Sequence, residues 1–410
     1  MGAEQMTGMK PFKTLLSRME ALERIERNIG RVGRIEEIPI ESAGARILAE
    51  NVVADFFVPP FKRSAMDGYA VRAEDTYTAS SLTSSRLKLI GVQHAGELFE
   101  GIVKKGECVQ VATGSPVPEG SDAVVMVEFT KLEGDYVEIE KPAYPSANTT
   151  PIGEDIKKGD TVIELGEILT PAKVGALAAL NRGTIRVYEK PRVAIFSTGS
   201  EIKPLGTELL PSQIYDMNSY TLTSIASSNG CEPVLKGIVP DDKESIKSSI
   251  IDAASHDIGI FSGGSSVGVR DLFGEIVEEM GEVLFHGLQV KPGKPTLFGM
   301  VQGTPIFGMP GYPTSCLSNA YIFLTPALRM MARLPPEHSR KLVARMSTRF
   351  VSSSGREQFL TVKVRNGTAF PAFKKSGTIT SMVYADGYII LPVNLDVIEK
   401  GAEVEVTLFN

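Results

Sequence analysis

Apolar positions near the amino terminus follow the period of a helix. They recur every third or fourth residue, with Arg and Glu between them, at Phe12, Leu15, Leu16, Met19, Leu22, Ile25 and Ile29. This spacing predicts an amphipathic helix. Two interpretations of its apolar stripe stay open: the stripe covers the protein's own core, or it contacts a second subunit.

Residues 61–151 show a different pattern. Short apolar runs, such as 86–92 and 123–129, are separated by turns rich in Gly and Pro. Runs of this length between such turns are typical of strands. We therefore expect an inserted β-rich domain over 61–151, and a helical, linking domain formed by the flanking residues 1–60 and 152–190.

In residues 191–334, short strands alternate with helical segments. Apolar runs rich in β-branched residues, at 192–196, 234–239 and 257–261, are each followed by a segment of helical character. This βαβ order predicts a doubly wound α/β domain, with a parallel sheet and helices on both faces. Ligands of such sheets bind in the loops at the carboxyl ends of the strands, so those loops are the ones to inspect.

Beyond residue 334 the chain returns to short strands. Glycines that predict turns punctuate residues 342–408, at Gly355, Gly367, Gly377, Gly387 and Gly401. This spacing is typical of a small β-barrel or sandwich over 335–410. The predicted fold class is therefore multidomain, α/β plus β.

Composition excludes several classes of protein. Of 410 residues, 42% are hydrophobic and 22% are charged, which is ordinary for a folded protein and excludes wholesale disorder. The net charge of -6 argues against a nucleic-acid-coating surface. No segment resembles a signal peptide and no run of 18 apolar residues occurs, so we expect a cytoplasmic protein that does not engage a membrane.

Cysteine and histidine are few and scattered. The three cysteines form no CxxC pattern, and the four histidines form no HExxH pattern. A disulfide framework, a zinc ribbon and a zincin-type site are therefore not indicated. Any metal in this protein is expected on carboxylates, the ligands that Mg²⁺ prefers.

Two loops after predicted strands are suited to an anion. Small and hydroxyl-bearing residues, followed by the carboxylate of Glu201, occupy Ser197, Thr198, Gly199 and Ser200. A phosphate or a pterin can approach backbone amides there, although a plain capped turn fits as well. The second loop is richer in Gly and Ser, at Ser262, Gly263, Gly264, Ser265, Ser266 and Gly268. It predicts a nest of N–H groups for an oxyanion-rich ligand, or else a tight turn, and Asp271 follows where a carboxylate can hold Mg²⁺.

Two further loops contain prolines. Lys291 and Lys294 lie in a KPGKP string, where two ammonium groups on a stiff backbone favour an anion between them over a solvated turn. The other loop, with Pro310, Gly311 and Pro313, precedes a long apolar helix. A proline in the first helical turn is equally well explained as a structural cap.

Other polar turns lie outside the predicted sheet. They contain Asp67, in SAMDGYA, Thr113, in TGSPVP, and Asp155, in GEDI. Individually each turn is unremarkable. Taken together, the residues indicate a multidomain protein whose doubly wound domain binds a phosphorylated ligand, with Mg²⁺ and a second anion plausible.

The chain closely resembles the molybdopterin molybdenumtransferase (MoeA) family, which includes the E domain of gephyrin. The resemblance runs from about residue 40 to the end, and it rests on seven strings in one order, namely SAMDGYAVR, ATGSPVPEGSDAVV, GEDI, STGSEI, SGGSSVG with Asp271, KPGKP and PGYP. It implies an elongated homodimer with an inserted β domain, a molybdopterin-binding α/β domain and a C-terminal β-barrel.

The family resemblance also implies a reaction. Members take adenylylated molybdopterin, release AMP with Mg²⁺, and insert molybdate into the freed dithiolene. By resemblance, the STGSEI, SGGSSVG and PGYP loops hold the pterin and phosphates, and Asp271, Glu201 and Asp242 serve the metal and the anhydride. Lys291, Lys294, Ser266 and Arg356 then hold molybdate. Asp67, Thr113 and Asp155 match functional residues that face the α/β domain of the other subunit, and an adenylyltransferase supplies the substrate.

Four positions depart from the usual family pattern. Lys62 and Arg63 replace an Asp-Asn pair, Tyr312 replaces the Asn of PGNP, and Thr150 replaces an Arg. These departures leave open whether molybdate or tungstate is preferred. Two other functions stay open as well: an adenylyltransferase or nucleotide hydrolase on the same sheet, and a non-catalytic carrier or scaffold that binds the pterin.

Overall fold

The computed structural model describes residues 15–263, 272–337, 339–352, 355–372 and 377–409. The chain divides into two compact units. One unit consists of Glu37–Gly44 and Leu48–Val187, and the other contains the remaining residues. Among the described residues, no helix is long and apolar enough to cross a membrane.

The amino-terminal helix, α1 (Arg18–Asn28), begins at a capping box. Ser17 and Glu20 each accept a hydrogen bond from the other's backbone N–H, so two N–H groups of the first turn are satisfied. The helix buries Ala21 and Ile25 in the same apolar core as the α/β sheet. The apolar stripe of α1 therefore covers the protein's own core, while Met19 on its edge is 57% exposed.

The unit that spans 48–187 is mostly strands. Its elements are β1 (Ile35–Pro39), a 3-10 turn (Ile40–Ser42), β2 (Val52–Val53), β3 (Arg63–Ser64), β4 (Gly68–Val71), a 3-10 turn (Ala73–Thr76), β5 (Ser85–Gln93), β6 (Glu107–Val111), β7 (Ala123–Met126), a 3-10 turn (Val127–Phe129), β8 (Thr130–Glu133), β9 (Tyr136–Ile139), β10 (Thr149–Thr150), β11 (Thr161–Ile163), α2 (Pro171–Ala179) and β12 (Thr184–Tyr188). Six of them form a sheet in the order β7-β4-β6-β5-β9-β8. This sheet lies within 61–151, where the sequence predicts a β-rich domain.

Alternate residues of the six-stranded sheet point into two apolar clusters. Val109 lies in one cluster and Cys108, its neighbour, lies in the other, because successive side chains of a strand face opposite sides. Outside this sheet, α2 begins at the cap Thr170, with Pro171 in its first turn. Its buried Leu177 packs in a third cluster with residues of β2, β11 and β12.

The α/β part of the other unit follows in chain order. Its elements are β13 (Arg192–Thr198), β14 (Ile202–Lys203), β15 (Ile214–Tyr215), α3 (Asn218–Ser228), β16 (Glu232–Val239), α4 (Lys243–Ala254), β17 (Ile258–Ser262), α5 (Leu272–Met280), β18 (Glu282–His286), β19 (Val290–Lys291), β20 (Leu297–Val301), β21 (Thr304–Met309), α6 (Pro313–Asn319), a π-helical turn (Ala320–Leu324) and α7 (Thr325–Met331).

Six of these strands form the central sheet, in the order β16-β13-β17-β21-β20-β18. The first four are parallel, as the βαβ pattern predicts, but at one edge β20 runs antiparallel to both of its neighbours, β21 and β18. The difference arises because β20 and β21 are joined by a tight turn at Gln302 and Gly303, which leaves no room for a crossover helix. Apolar clusters fill both faces of the sheet, as a doubly wound fold requires.

The carboxyl-terminal part is a closed barrel. Its elements are β22 (Lys341–Met346), β23 (Phe350–Val351), β24 (Glu357–Arg365), β25 (Thr368–Pro371), α8 (Thr380–Val383), β26 (Gly387–Leu391), β27 (Val397–Ile398) and β28 (Glu403–Leu408). The ring β24-β25-β22-β28-β26 closes through pairing of β26 with β24, so the barrel prediction is confirmed over the sandwich. Gly387 begins a strand instead of forming a turn. Glycine is needed there because β28 packs so closely that a Cβ would lie 2.3 Å from the carbonyl oxygen of Thr407.

Candidate functional site

Three of the loops singled out by the sequence begin side by side in the α/β sheet. Ser197 of β13 is paired with Ser262 of β17, and Ser262 is paired with Met309 of β21. The next residues of the three strands enter the STGSE, SGGSSVG and PGYP loops. Beneath them, the rings of Phe196 and Phe261 stack with centroids 4.6 Å apart. The sheet therefore places these three loops side by side on a rigid apolar base. We call the three loops together the three-loop edge.

A buried carboxylate supports the first of these loops. Asp216 is 6% exposed and accepts hydrogen bonds from the Ser197 hydroxyl at 2.8 Å and the Ser219 hydroxyl at 2.6 Å. The backbone N–H of Ser219 also donates to it, at 3.2 Å. These bonds connect the end of β13 to the first turn of α3. Ser197, which the sequence assigns to ligand binding, is therefore engaged within the protein.

Asn218 connects the other two loops. Its amide nitrogen donates to the Ser262 hydroxyl at 2.7 Å and to the Gly311 carbonyl at 2.8 Å. The loops also approach closely, since a Cβ on Gly311 would lie 3.5 Å from the Cα of Gly263. Gly263 has a φ of +95°, and a Cβ there would lie 2.3 Å from the carbonyl oxygen of Thr198. Only glycine fits this crossing of the three loops.

Two carboxylates lie close together beside the STGSE loop. Asp241 accepts a hydrogen bond from the backbone N–H of Ser200 at 3.2 Å. Partial removal from water and the negative charge of Glu201 raise the pKa of Asp241, against the effect of that hydrogen bond. A positive charge placed between Glu201 and Asp241 would relieve this repulsion, so the pair has the chemistry of a cation site.

Asp242 has a different role in the structure. It caps α4 and accepts a hydrogen bond from the backbone N–H of Ser245 at 2.9 Å. This N–H and the Ser245 hydroxyl hold the pKa of Asp242 below its usual value. In the described ranges, which exclude Asp271, no group of three metal-ligating side chains converges.

The KPGKP loop connects the α/β sheet to the barrel. It begins in β19, where Val290 and Lys291 pair with Glu357 and Gln358 of β24. Arg356 precedes this pairing directly, so the backbone brings it next to the segment that contains Lys291. Lys291 and Lys294 are both half-buried. The loop that contains both lysines and the start of β24, which Arg356 precedes, are therefore neighbouring segments of the backbone.

The PGYP turn precedes a helix, as the sequence predicts. Pro313 lies in the first turn of α6, and Tyr312 before it is 66% exposed. The carbonyl of Gly311 in this turn also accepts a hydrogen bond from the side-chain amide of Asn218. The turn is therefore both a structural cap and part of the loop edge.

The candidate residues of the β-rich unit lie on exposed turns. Both the backbone N–H and the hydroxyl of Thr113 donate to one carboxylate oxygen of Asp67, at 2.6 and 2.9 Å. These bonds hold the pKa of Asp67 below its usual value. A cavity of about 130 Å³ adjoins Asp67 and is also lined by His94 and Gln110. Asp155 is exposed, and its N–H donates to the carbonyl of Val58 at 3.1 Å.

Two departures from the family pattern lie opposite each other. Arg63 of β3 is paired with Thr150 of β10 across a short antiparallel ladder. The adjacent Lys62 donates to the carbonyl of Asp122 at 3.1 Å.

Several predicted residues lie outside the described ranges. They are Gly264, Ser265, Ser266, Gly268 and Asp271. Conversely, the sequence reasoning missed Asp216, Asn218, Ser219 and Asp241. A signal was present for three of these, since the polar string DMNS spans the start of α3, but nothing in the sequence tied it to the STGSE loop.

The cysteines are not activated nucleophiles. All three, Cys108, Cys231 and Cys316, are buried and free. Burial raises the pKa of each thiol to about 12. None of them is therefore a thiolate nucleophile at neutral pH.

Comparison with known families and proteins agrees with this architecture. Residues 16–181 match the MoeA N-terminal region (domain I and II), 194–330 match a probable molybdopterin binding domain, and 343–409 match the MoeA C-terminal region (domain IV). The molybdopterin molybdenumtransferase of Haemophilus influenzae is 33% identical, over 92% of this chain and 94% of its own length. Molybdopterin molybdenumtransferase 2 of Mycobacterium tuberculosis is 36% identical, over 82% and 85% respectively.

A solved structure agrees as well. The molybdopterin biosynthesis MoeA protein of Pyrococcus horikoshii superimposes with a TM-score of 0.83 at 41% identity, covering 97% of this chain and 100% of that one. The fold and the loop edge define a multidomain protein with a molybdopterin-binding type of α/β domain. The chain belongs to the MoeA family. It is accordingly a transferase with a role in molybdenum cofactor biosynthesis.

Proposed function

We propose that this protein inserts molybdate, or tungstate, into adenylylated molybdopterin with Mg²⁺-dependent release of AMP. In this reaction water adds across the phosphoanhydride bond and releases AMP. The two dithiolene thiols lose their protons and bind the metal of the oxyanion, and one oxygen of the oxyanion leaves as water. Family membership supports the pathway. The observation that supports the reaction is that the three-loop edge and the KPGKP loop with Arg356, which we propose bind two different anions, belong to the same compact unit.

The three-loop edge would hold the pterin and phosphates. Its small residues leave backbone amides accessible, and the bonds from Asp216 and Asn218 hold the three loops in place before the ligand binds. The ligand-binding residues we propose are Ser197, Thr198, Gly199, Ser262, Gly263, Gly264, Ser265, Ser266, Gly268, Pro310, Gly311 and Pro313. Because the hydroxyl of Ser197 donates to Asp216, this side chain would contribute by holding the loop in place.

The metal would lie on carboxylates beside this edge. Glu201 and Asp241 repel each other, which fits a cation between them, and the resemblance adds Asp271. We favour Asp241 over its neighbour Asp242, because the latter caps α4. The chemistry that Mg²⁺ held by these carboxylates would supply is neutralisation of the negative charge on the phosphates. The carboxylates would orient the anhydride, and the backbone amides of the loops would bind its oxygens.

Lys291, Lys294 and Arg356, with Ser266, would bind the oxyanion. At an effective dielectric of 20, two unit charges 4 Å apart interact by about 4 kcal/mol before desolvation is subtracted. A dianion gains about twice that from each cation, so such a site attracts molybdate strongly.

The β-rich unit would contribute Asp67, Thr113 and Asp155. All three lie on exposed turns, which suits residues that complete a site on another surface. We propose that they do so in a homodimer, in the cytoplasm, with a molybdopterin adenylyltransferase supplying the substrate. The proposed domains are 1–60 with 152–190, 61–151, 191–334 and 335–410.

The test measures AMP release from adenylylated molybdopterin by the purified protein with Mg²⁺, with and without molybdate or tungstate. Cofactor formation is scored by reconstitution of an apo-enzyme. We expect AMP release that the oxyanion stimulates. Asp271→Ala should abolish it, and Lys294→Ala should raise the molybdate concentration for half-maximal rate at least about tenfold, because one cation is lost.

Two controls separate the alternatives. Lys341→Ala removes a lysine that pairs with Glu405 on the barrel surface, and it should leave the molybdate dependence unchanged. An unaffected Asp271→Ala, Lys294→Ala double variant would contradict the proposal. Turnover of ATP would instead indicate an adenylyltransferase or hydrolase, and tight pterin binding without AMP release would indicate a carrier.

A further inference from the structure

Asn319 is a fully buried polar residue beside the KPGKP loop. It ends α6 and is 0% exposed. Its amide nitrogen donates to the carbonyl of Gly293 at 2.8 Å and to the hydroxyl of Thr296 at 2.6 Å. A carbonyl oxygen only accepts, so the contact with Gly293 fixes which end of the amide faces the loop. Both amide protons are therefore used to hold this loop.

The loop is closed by bonds of its own around the same point. The buried hydroxyl of Thr296 donates to the carbonyl of Gly293 at 3.0 Å, and the N–H of Thr296 donates to the carbonyl of Lys294 at 3.0 Å. Asn319, Gly293 and Thr296 thus form a small connected network. Its loop members lie between Lys291 and Lys294 or shortly after them in the chain.

Asn319 also limits the loop sterically. Gly293 has a φ of +98°, and a Cβ there would lie 2.3 Å from the Asn319 amide nitrogen and 2.7 Å from its amide oxygen. The side chain therefore packs against the backbone at the residue between the two lysines. A change at either position must move the other.

The amide is retained at an energetic cost. Its oxygen is buried and has no hydrogen-bond partner in the described part of the chain. An unsatisfied buried acceptor disfavours folding, and an apolar side chain of similar size would avoid that penalty. The two donated bonds are thus the feature of asparagine that an apolar residue cannot supply here.

We propose that Asn319 is a positioning residue for the oxyanion site: it fixes the Gly293 backbone and thereby the spacing of Lys291 and Lys294. This inference rests on the proposed function, since it takes the two lysines as oxyanion ligands. It predicts that loss of the Asn319 contacts weakens oxyanion binding without removing any charge from the site.

The experiment measures the dissociation constant of molybdate, with the full chain, by titration calorimetry, and the molybdate KM and kcat of AMP release. Asn319→Leu keeps the volume and removes both donors, and Gly293→Ala displaces the same contact from the other side. For each we expect the dissociation constant and KM to rise about tenfold, with kcat at saturating molybdate retained within about twofold, because positioning is lost but charge is kept.

Two further variants make the test decisive. The Gly293→Ala, Asn319→Ala double variant removes the amide that the added Cβ would strike, so its binding defect should not exceed that of the worse single variant. Asn229→Ala is a matched control: Asn229 is 5% exposed and bonds to the Ile225 carbonyl at the end of α3, away from the loop edge. It should leave the molybdate dissociation constant unchanged.

The outcomes distinguish the inference from the proposed function. If Lys294→Ala weakens molybdate binding but Asn319→Leu and Gly293→Ala do not, the positioning role is wrong and the oxyanion site stands. If Asn229→Ala weakens binding as much as Asn319→Leu, the effect is general loss of stability and the positioning role is again wrong. If neither the lysine variant nor the wild type shows molybdate binding, the oxyanion site itself is wrong.

Discussion

The polar groups at the α/β loop edge and those on the Asp67 turn differ in what supports them. Asp216 is 6% exposed and receives three hydrogen bonds from two different elements. Asp67 is exposed, and both of its hydrogen bonds come from Thr113. The first carboxylate holds a strand and a helix together, whereas the second is held by one neighbouring turn.

This difference in hydrogen-bonded support determines how each region can contribute to ligand binding. At the loop edge, the sheet register and buried bonds place the loops without help from a ligand, which is the preorganisation that anion binding needs. On the exposed turn, the protein fixes only the orientation and ionisation of one carboxylate. The Asp67 carboxylate can therefore contribute to a site on another surface that contacts this turn.

The largest effect should follow from Asp216→Ala. The substitution leaves two buried hydroxyls and an N–H without their acceptor, so we expect the free energy of unfolding to fall by about 3 kcal/mol, measured by urea denaturation. AMP release should fall with it, because the end of β13 loses its tie to α3.

The matched change in the other unit is Asp160→Ala. Asp160 is exposed and accepts one bond, from the N–H of Lys157 at 2.9 Å. We expect Asp160→Ala to lower the free energy of unfolding several times less than Asp216→Ala does. If the two variants unfold at the same urea concentration, Asp216 does not have the structural role described here.

A smaller effect is expected from glycine substitutions in the two regions. Gly263→Ala combines a left-handed backbone with a Cβ 2.3 Å from the Thr198 carbonyl oxygen, so we expect a loss of about 2 kcal/mol. Gly114→Ala, beside Thr113, has a φ of +84° but no atom within 4 Å of its Cβ, so a loss of about 1 kcal/mol is expected. Thermal unfolding of the two variants measures the difference, and equal losses would show that the loops do not cross as closely as described.

The smallest effect concerns ionisation of Asp67. Its pKa in the folded protein lies below the unfolded value, so its contribution to stability is present above that value and is lost as the pH falls through the folded pKa. Thr113→Val keeps the N–H bond, the larger cause, and removes the hydroxyl bond. We expect the pKa of Asp67 to rise part of the way toward 3.8, as measured by carboxyl ¹³C NMR titration.

The control for this titration is Thr207→Val. Thr207 donates its hydroxyl to the carbonyl of Pro204 and belongs to the other unit. It should leave the Asp67 titration unchanged. A pKa of Asp67 that stays the same in Thr113→Val would mean that the backbone N–H alone sets its ionisation.

Much of the fold and part of the site could be predicted from local pattern. The strands β13, β16 and β17 and the proline start of α6 follow from runs of apolar residues and from φ preference, which are properties of neighbouring residues. The antiparallel pairing of β20 with β21 was missed, although the two-residue connection at Gln302 and Gly303 is a local signal for a hairpin. The pairing of β18 with β20 had no such signal, because the two strands are separated by the segment that contains β19.

The sequence by itself determined the β-rich character of 61–151, the α/β character of 191–334, the loops that carry Gly, Ser and Lys, and the family resemblance, because these depend on residue type and spacing. Only the tertiary structure decided which polar residues meet. It separated Asp241, beside the Ser200 N–H, from Asp242, which caps α4, although the two are adjacent in the chain. It also placed Asn319 under Gly293, 26 residues away. Contacts between distant residues are fixed by packing of the whole sheet, and no local pattern contains that information.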